Sequence, residues 1–459
     1  MTPGRFALLM SAMVVLAAPA TAAAAETAEE TTPAEMTPAV APVAPVAPAG
    51  LAVPTPANPP APAPAATATL VATVTATPVA TPEKIFPPTV GPLGVEGRNA
   101  SIKFGLLLQP QYQILGENTY SGQGQNLYLR RARVIVGGTL FGALDYFFDI
   151  DYPNLFIGKA ASGTPTVKYT PTANVQDAFL TYRPFRDLIM VDAGYFLPAM
   201  AHNTLQSAAT LFGLDFFEYS FQHDQAFGTQ SPITTSVGRD TGVQLRGLLA
   251  GGRVEYRVGM FQGLRGAKTT SAAGSQNDFR VTSRVQINLL DAEPGFFYSG
   301  TYLGAKRILS IGGSYDFQNS FTKDYLYLAA DAFLDLPVGP GIVTAQINLA
   351  HWNGHNFIPQ VPVAGQAGVV LENQTAVMGE AGFTILAARL SPIVRIEHIE
   401  GPELPAQSRY GGGLSFWPYG HNSNLKVFYS RIIQTPPPPP AVPYHSANQF
   451  NLQWQVYFF

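Results

Sequence analysis

The chain has 459 residues, of which only 12% are charged, and it contains 43 Gly, 29 Phe and 20 Tyr. Soluble proteins carry about 25% charged residues, so this composition argues against a string of ordinary soluble domains. The net charge of −3 gives no reason to expect nucleic acid as a partner. The absence of cysteine excludes disulfides, Cys-ligated metal centres and thiol catalysis. After residue 30 no apolar run reaches the ~18 residues that a transmembrane helix needs.

Residues 1–25 are typical of a secretory signal peptide. Arg5 supplies the positive start, and Phe6–Ala18 is an apolar run of 13 residues, too short to span a bilayer comfortably. Small residues at Ala23–Ala25 form the cleavage pattern, followed by polar Glu26. We therefore predict cleavage and export of the mature chain.

Residues 26–97 have a different composition, dominated by Pro, Ala, Thr and Val. Between Pro33 and Pro92 lie 16 prolines, many in repeats such as AVAPVAPVAPAG. Such a segment has too little apolar surface for a core and favours extended polyproline II conformation. It is either a disordered spacer or a semi-rigid periplasmic arm that touches peptidoglycan or another partner.

Residues 98–459 keep the same residue composition and hydrophobic pattern throughout, which predicts one domain. Apolar and polar residues alternate with period 2, the period of a β-strand, at 102–113, 144–152, 241–249, 253–261, 279–289 and 425–430. A soluble β-sandwich or β-helix turns its apolar face inward, whereas a transmembrane barrel turns it towards lipid. The low charge and the ~10-residue segments favour the barrel.

At about 22 residues per strand and connection, the domain predicts about 16 antiparallel strands, a size that leaves an aqueous channel. Aromatic residues near segment ends are expected to lie at the membrane interfaces; they are Tyr112, Tyr128, Tyr152, Tyr182, Tyr195, Phe317 and Tyr429. The last segment, QFNLQWQVYFF, alternates up to Phe458 and ends one residue later, on Phe459. A terminal aromatic after an alternating strand is similar to the signal that outer-membrane barrels present to their assembly machinery.

Several stretches resemble the phosphate-selective porins of the O and P type. They are Leu129–Asp151, Asn174–Met200, Arg239–Gly263, Ser423–Ile432 and the closing QFNLQWQVYFF, so that the resemblance covers essentially all of 98–459. The resemblance implies a homotrimeric, 16-stranded porin of the Gram-negative outer membrane whose third extracellular loop folds into the lumen.

The region between Leu197 and Arg239 lacks sustained alternation. Loops longer than about 15 residues are usually functional or disordered. After the fifth strand this would be the third outer loop, able to narrow a pore, although a free surface loop remains the alternative. It contains His202, Asp215, Glu218, His223 and Asp224.

Period 2 assigns charged residues to the lumen face. The predicted pore-lining basic residues are Lys103, Arg131, Arg133, Arg246, Arg253, Arg257, Arg280, Arg284 and Lys426. The predicted pore-lining acidic residues are Asp145, Asp149, Asp151, Asp177 and Asp192, with Glu255 and Asp331 in the same phase. Rings of Arg and Lys favour anions. Alternatively, each Arg neutralises a nearby Asp, with Arg131 and Arg133 opposite Asp145 and Asp149.

Of 27 basic and 30 acidic residues, 2 and 6 precede residue 98, which leaves 25 basic and 24 acidic residues in the barrel. Only 8 residues of the chain are Lys, without a cluster. These counts favour a diffusion porin with a weak preference for anions, phosphate being the anion that the resemblance implies. Its expected partners are outer-membrane lipid, small permeating solutes and the barrel-assembly machinery, with its N-terminal segment in the periplasm.

Two other classes stay open: a structural barrel that tethers the outer membrane to the cell wall through the Pro/Ala arm, and an outer-membrane hydrolase. The sequence has no G-x-S-x-G, H-E-x-x-H or phosphate-binding glycine loop, so neither catalysis nor a cofactor is expected. His351 and His355 form H-x₃-H, but inside the loop-like WNGHN, which makes a metal site the less favoured interpretation.

Overall fold

The structure is a computed structural model. It describes residues 86, 90–116, 124–161, 164–168, 173–217, 239–263, 278–319, 324–353, 373–402, 406–435 and 445–459. These residues all belong to the compact unit Pro78–Phe459. The predicted signal peptide and nearly all of the Pro/Ala arm lie outside the described residues.

The described residues form nineteen strands, almost all of them antiparallel neighbours in one sheet. They are β1 (Leu93–Glu96), β2 (Ser101–Gly116), β3 (Gln125–Leu140), β4 (Leu144–Asp151), β5 (Gly158–Ala161), β6 (Thr164–Lys168), β7 (Asn174–Tyr182), β8 (Met190–Phe196), β9 (Asp240–Leu249), β10 (Val254–Phe261), β11 (Arg280–Asn288), β12 (Ile308–Gln318), β13 (Tyr325–Val338), β14 (Gly341–Asn353), β15 (Gln374–Ile385), β16 (Leu390–Glu400), β17 (Ala406–Tyr419), β18 (Ser423–Thr435) and β19 (His445–Phe458).

Sixteen of these strands close into a barrel, which confirms the predicted fold class. The chain runs through β2, β3, β4, β7 and β8 to β19 with each strand beside the next, and β19 returns to β2, where Phe458 pairs with Leu106. The short β1 pairs with the start of β2, so strand pairing begins before residue 98. β5 and β6 form a separate two-stranded sheet between β4 and β7.

The barrel is apolar outside and polar inside, the reverse of a soluble protein. On β11, Val285 and Ile287 are 52% and 40% exposed, while Arg284 and Gln286 are 1% and 0% exposed. This arrangement follows from the period of two, since adjacent residues of a strand point to opposite faces. Apart from a 3-10 turn at Ala250–Gly252, the described residues form no helix, and none could cross a membrane as a helix.

The two ends of the barrel differ in their connections. At one end, here called the turn end, strands join through tight turns such as Phe141–Gly142, where both residues have positive φ (54° and 72°). At the other, here called the loop end, the connections are longer, including 197–239 between β8 and β9. One connection breaks this rule: 289–307, between β11 and β12, is long although it lies at the turn end.

A β-bulge in β3 shifts the side-chain phase. Leu108 pairs with Ala132 and Pro110 with Leu129, so Arg130 and Arg131 together oppose Gln109. A bulge of this kind aims two consecutive side chains at one region. It also explains why Tyr128, predicted to lie at the membrane interface, is 6% exposed and accepts a hydrogen bond from Gln111 inside the lumen.

The other aromatic residues predicted at the interfaces keep the outward phase. Tyr152, Tyr182 and Tyr429 are 39%, 51% and 50% exposed, as expected of rings at a membrane surface. The C-terminal strand likewise turns Trp454 outward, at 53% exposed. The sequence pattern therefore predicted the outer surface correctly except where the bulge in β3 changes the phase.

Candidate functional site

Three arginines of β10 and β11 are completely buried in the barrel interior and are paired with acids. Arg280 donates to both carboxylate oxygens of Asp316, at 2.6 to 3.1 Å. Arg284 donates to both oxygens of Asp331, at 2.6 and 2.8 Å. Arg257 donates to Glu255 at 2.7 Å. A buried guanidinium group requires an acidic partner. The pair is strongest when the guanidinium donates to both carboxylate oxygens.

The hairpin of β3 and β4 pairs its charges differently from the expectation. Arg133 contacts Asp149 at 3.2 Å and Asp151 at 3.0 Å. Arg131 contacts neither strand acid: its guanidinium reaches Asp215 of the long loop at 2.6 Å. Asp145 instead pairs with Arg183 of the turn after β7, at 2.9 Å. The expected Arg131–Asp145 pair was wrong because the strand register sets Asp145 opposite Thr139, eight residues from Arg131 along β3, whereas the loop supplies a nearer acid.

The other predicted pore-lining residues differ in how deeply they are buried. Asp177 and Asp192 are fully buried and hold Arg239 and Arg246, at 3.2 and 2.8 Å. Lys103 is half-buried on the inward phase of β2 near the turn end. Arg253 lies in the turn after β9, exposed, and donates to the carbonyl of Leu289 at 2.6 Å, so it caps the turn rather than lining the lumen.

Part of the long loop, residues 197–217, contacts the inner face of the barrel. The amide of His202 donates to Asp331 of β13, and that of Asn203 donates to Asn348 of β14, both at 3.1 Å. Lys426 of β18 donates to the carbonyls of Leu211 and Gly213 at 2.7 Å. Asp215 of the same segment contacts Arg131 of β3, eight strands around the barrel from β13. These contacts reach opposite walls, so this part of the loop runs through the lumen. Residues 218–238, with Glu218, His223 and Asp224, lie outside the described residues.

A second segment, 289–307, enters the lumen from the turn end and packs against the first. The amide of Ser207 donates to the carbonyl of Tyr298, and the amide of Tyr298 donates back to Leu205, both at 2.9 Å. The amide of Gly300 donates to Thr210 at 3.1 Å. Together, 197–217 and 289–307 form a unit that we call the lumen plug. Sequence reasoning missed 289–307, whose signal was a long, non-alternating stretch after the strand that ends near residue 289.

His202 joins the two halves of the lumen plug. Its ring is stacked between Tyr298 and Phe333, with centroid distances of 4.5 and 4.4 Å. Its Nε2 lies 3.0 Å from a carboxylate oxygen of Glu293, and Gln206 donates to its Nδ1 at 3.1 Å. This pattern assigns the proton to Nε2, which then donates to Glu293. One side chain of the loop is thereby fixed to both the barrel wall and 289–307.

Ionisable groups of the lumen plug and of the turns have shifted pKa values. Burial acts to raise the pKa of Glu293, but His202 and hydrogen bonds from Tyr302 and Gln286 outweigh it and hold that pKa below its usual value. Burial also acts to raise the pKa of Asp215, but the positive charges of Arg130 and Arg131 outweigh this effect and lower that pKa. Both carboxylates are therefore charged at neutral pH and keep their partners in place.

His421, in the turn after β17, ties the wall to the lumen plug at the turn end. Its Nε2 donates to the carbonyl of Thr301 at 3.0 Å. Burial lowers the pKa of His421 to about 4, so the ring is neutral at physiological pH. A neutral ring that donates one hydrogen bond suits this buried position.

The lumen plug does not fill the interior evenly. Against β13, β14 and β16 it packs closely, whereas beside β2, β3, β4 and β7 it leaves a cavity of about 460 Å³. Here this space is called the wall cavity. It extends from Asn154, in the loop after β4, to Phe459 at the turn end. Its charged lining residues are Arg130, Arg131, Arg133, Arg239, Asp149, Asp151 and Asp215.

The charges of the wall cavity are not equally accessible. The side chains of Arg130 and Asp215 are 24% and 25% exposed, and that of Arg133 is 12% exposed. Asp149 and Asp151 are 1% and 2% exposed, behind the guanidinium of Arg133. Apart from Asp215, the cavity therefore presents arginine to a solute and hides the acids.

Among the described residues, no group of three or more His, Asp or Glu could hold a metal ion. His351 lies at the end of β14, where its Nδ1 is 2.9 Å from the hydroxyl of Thr375. His355 lies outside the described residues. What the described part of the interior offers chemically is a cavity lined by charged side chains.

No protein-family model and no curated protein matches this chain. Among solved structures it is similar to the outer membrane channel DcaP of Acinetobacter baumannii, at 12% identity and a TM-score of 0.49 over 80% of this chain and 99% of that one. It is also similar to an anion-selective porin from Comamonas acidovorans, at 10% identity and a TM-score of 0.49 over 78% and 100%. OmpF of Salmonella typhi, solved with daunomycin, is similar at 10% identity and a TM-score of 0.46 over 80% and 100%.

Proposed function

We propose that this protein is an outer-membrane porin through which small hydrophilic solutes diffuse passively, with a weak preference for anions. The observation that carries the proposal is the closed 16-stranded barrel with buried charges inside and exposed apolar side chains outside. A barrel with this polarity is stable when lipid covers its outer face and water fills its lumen. Passive diffusion requires neither turnover nor a cofactor.

The outer surface supports a membrane location. Val and Ile side chains such as Val281 on β11 and Val394 and Ile396 on β16, at 40%, 65% and 57% exposed, lie in the outward phase of their strands. Soluble monomers rarely expose continuous apolar patches of more than a few hundred Å². In a bilayer the same side chains are covered by acyl chains, which removes the cost of exposing them.

The wall cavity is the proposed solute path. It lies beside the lumen plug and is lined by guanidinium groups whose acids are mostly buried behind them. A low-dielectric wall focuses the field of such groups on a passing ion. The predicted pore-lining residues Arg131 and Arg133 line this cavity, while Arg257, Arg280 and Arg284 are held by buried acids and serve mainly to fix the wall.

The finer parts of the proposal rest on the sequence. They comprise the signal peptide at 1–25, a periplasmic Pro/Ala arm at 26–97 that contacts peptidoglycan, assembly through β19, a homotrimer, and kinship with the phosphate-selective porins. They belong together because an exported barrel of a Gram-negative cell needs a signal for export and a strand for insertion. Phosphate is the anion that this kinship would add to the general preference.

Planar-bilayer recording of the purified full-length protein tests the proposal. We expect stable open steps and a reversal potential in a salt gradient that shows anion preference. Replacing Arg130 and Arg131 by Gln should weaken that preference, whereas Arg253→Gln, at the exposed turn, should leave it unchanged. A folded, heat-modifiable barrel without current at any voltage would contradict the porin.

Such silence would favour a second function, a structural barrel that tethers the outer membrane to the cell wall. The lumen plug favours this candidate, because two chain segments already occupy much of the interior. A tether needs no current but must bind the wall through residues 26–97. Pull-down of the full-length protein with peptidoglycan, compared with a variant lacking those residues, separates the two functions.

A further inference from the structure

The turn end of the wall cavity is aromatic. Five phenylalanines line it: Phe147, Phe179, Phe296, Phe297 and Phe459. They form a continuous set, since the ring of Phe147 lies 5.6 Å from those of Phe179 and Phe459 and 5.8 Å from that of Phe297. We call this set the phenylalanine ring cluster. A polar diffusion path has no need of such a cluster, so its presence calls for a separate explanation.

Phe459 belongs to this cluster because it is the residue in excess of the C-terminal alternation. The outward stripe of β19 ends at Phe458, so the next residue takes the inward phase. The wall makes room for its ring with two glycines: a Cβ at Gly105 would lie 2.7 Å from the Cβ of Phe459, and one at Gly137 would lie 2.9 Å from its Cζ. The site is therefore shaped around an inward aromatic end.

Along the same wall the cavity changes from aromatic to cationic. On β3, Gly137 lies beside the phenylalanine ring cluster. Ile135 lies two positions before it in the chain, and Arg133 lies four positions before it. Four residues of a strand span about 13 Å, so rings and guanidinium groups lie within one small cavity. Arg130, Arg131 and Arg133 face it; of the acids in its lining, Asp215 is 25% exposed, while Asp149 and Asp151 are almost fully buried.

We propose that the wall cavity selects small aromatic carboxylates. This inference rests on the proposed porin function and names its substrate class. The carboxylate contacts the guanidinium groups of Arg130 and Arg133, and the ring lies against Phe147, Phe297 and Phe459. A carboxylate and a guanidinium group match in charge and geometry. Aromatic rings pack on one another in offset or edge-to-face arrangements, which the phenylalanine ring cluster offers.

The same cluster disfavours small inorganic anions. Chloride and phosphate keep a hydration shell, and contact with the apolar rings that line the cavity strips part of it away at a free-energy cost. Neither ion has an apolar part that could recover this cost by contact with the rings. An aromatic carboxylate recovers part of it, because its ring is removed from water while its charged group stays beside arginine. The order expected is therefore benzoate ahead of acetate, chloride and phosphate, in place of the phosphate preference that kinship with the phosphate-selective porins would give.

Bi-ionic reversal potentials across planar bilayers test the inference with the full-length protein. The anions are benzoate, acetate, chloride and phosphate as sodium salts at neutral pH, and current reports only the charged species. We expect benzoate to be at least about tenfold more permeant than acetate, the ratio that 1.4 kcal/mol gives. Phe297→Ala should raise chloride conductance and lower the benzoate-to-acetate ratio. Phe141→Ala is the matched control, since Phe141 is 78% exposed in the turn after β3.

The outcomes separate the two levels of the argument. Equal permeability of benzoate and acetate in the wild type, unchanged in Phe297→Ala, overturns the aromatic carboxylate and leaves the porin standing. A wild type and a Phe297→Ala variant that are both folded and both silent with every anion overturn the porin itself. Phe297 lies in 289–307 rather than in a barrel strand, so this variant tests the inference without altering a membrane-spanning strand.

Discussion

The two sides of the barrel interior use the same residue types for different ends. On the side of β11 and β13, Arg284 is 1% exposed. It donates hydrogen bonds to Asp331, Gln286, Ser314 and the carbonyl of Met200. On the side of β3, Arg130 is 24% exposed and faces the wall cavity. Burial and pairing thus decide whether a lumen arginine stabilises the barrel wall or is accessible to a solute. The period of two in the sequence does not distinguish these two kinds of arginine.

The largest effect should come from breaking the packed side. Arg284→Met leaves Asp331 buried without its partner, and removing one member of a buried pair costs about 3–5 kcal/mol. Urea unfolding in detergent, followed by the fluorescence of Trp352 and Trp417, measures the loss. The control Arg183→Met breaks a pair whose side chains are 35% and 31% exposed and should cost less than about 1 kcal/mol. Equal losses in the two variants would remove the distinction between the sides.

A smaller effect is expected at the contact between the two halves of the lumen plug. A Cβ at Gly300 would lie 2.7 Å from the amide nitrogen of Phe212 and 2.8 Å from Cα of Leu211. Gly300→Ala should therefore push 289–307 from the loop at a cost of about 1–3 kcal/mol. Hydrogen exchange at Tyr298 and Gly300 reports the separation. At Gly313 the nearest atom is 3.7 Å away, so Gly313→Ala should leave this exchange unchanged.

The smallest effect concerns pH and sharpens the same comparison. The folded state lowers the pKa of Glu293, so the stability that this carboxylate contributes is present above its ordinary pKa and is lost as the pH falls through the lowered one. The protection factor of the Tyr298 amide, its exchange rate relative to that of an unfolded peptide at the same pH, should accordingly fall below about pH 4. Glu293→Gln should remove most of this fall. An acid response identical in both proteins would place its origin elsewhere.

The outer face and the strand count could be predicted from the sequence because both follow from the period of two. Whether Val285 or Arg284 faces lipid is decided by its neighbours in the chain. The bulge in β3 escaped prediction, since one extra residue leaves the local alternation of LRRAR ambiguous. The pairing of Arg131 with Asp215 could not be predicted either, because Asp215 lies 84 residues further along the chain.

The second half of the lumen plug shows a different limit. Barrel connections at the turn end are commonly short, and the sequence pattern alone did not single out 289–307. Its length and its close pair Phe296–Phe297 become informative only once β11 and β12 are placed at that end. The inward direction of Phe459, by contrast, was available from the sequence as a residue in excess of the stripe.

The closing contact of the barrel has a consequence for how the protein is made. Gln453 donates to Gln111 across a separation of 342 residues, so the cylinder is complete only when the last strand meets the first. Contacts this distant in sequence form late and slowly, because a long chain must be ordered before they appear. The contacts between 197–217 and 289–307, such as that of Tyr298 with Leu205, join positions much closer in sequence. Because a shorter loop costs less entropy to close, we expect the two halves of the lumen plug to dock before the final seam forms.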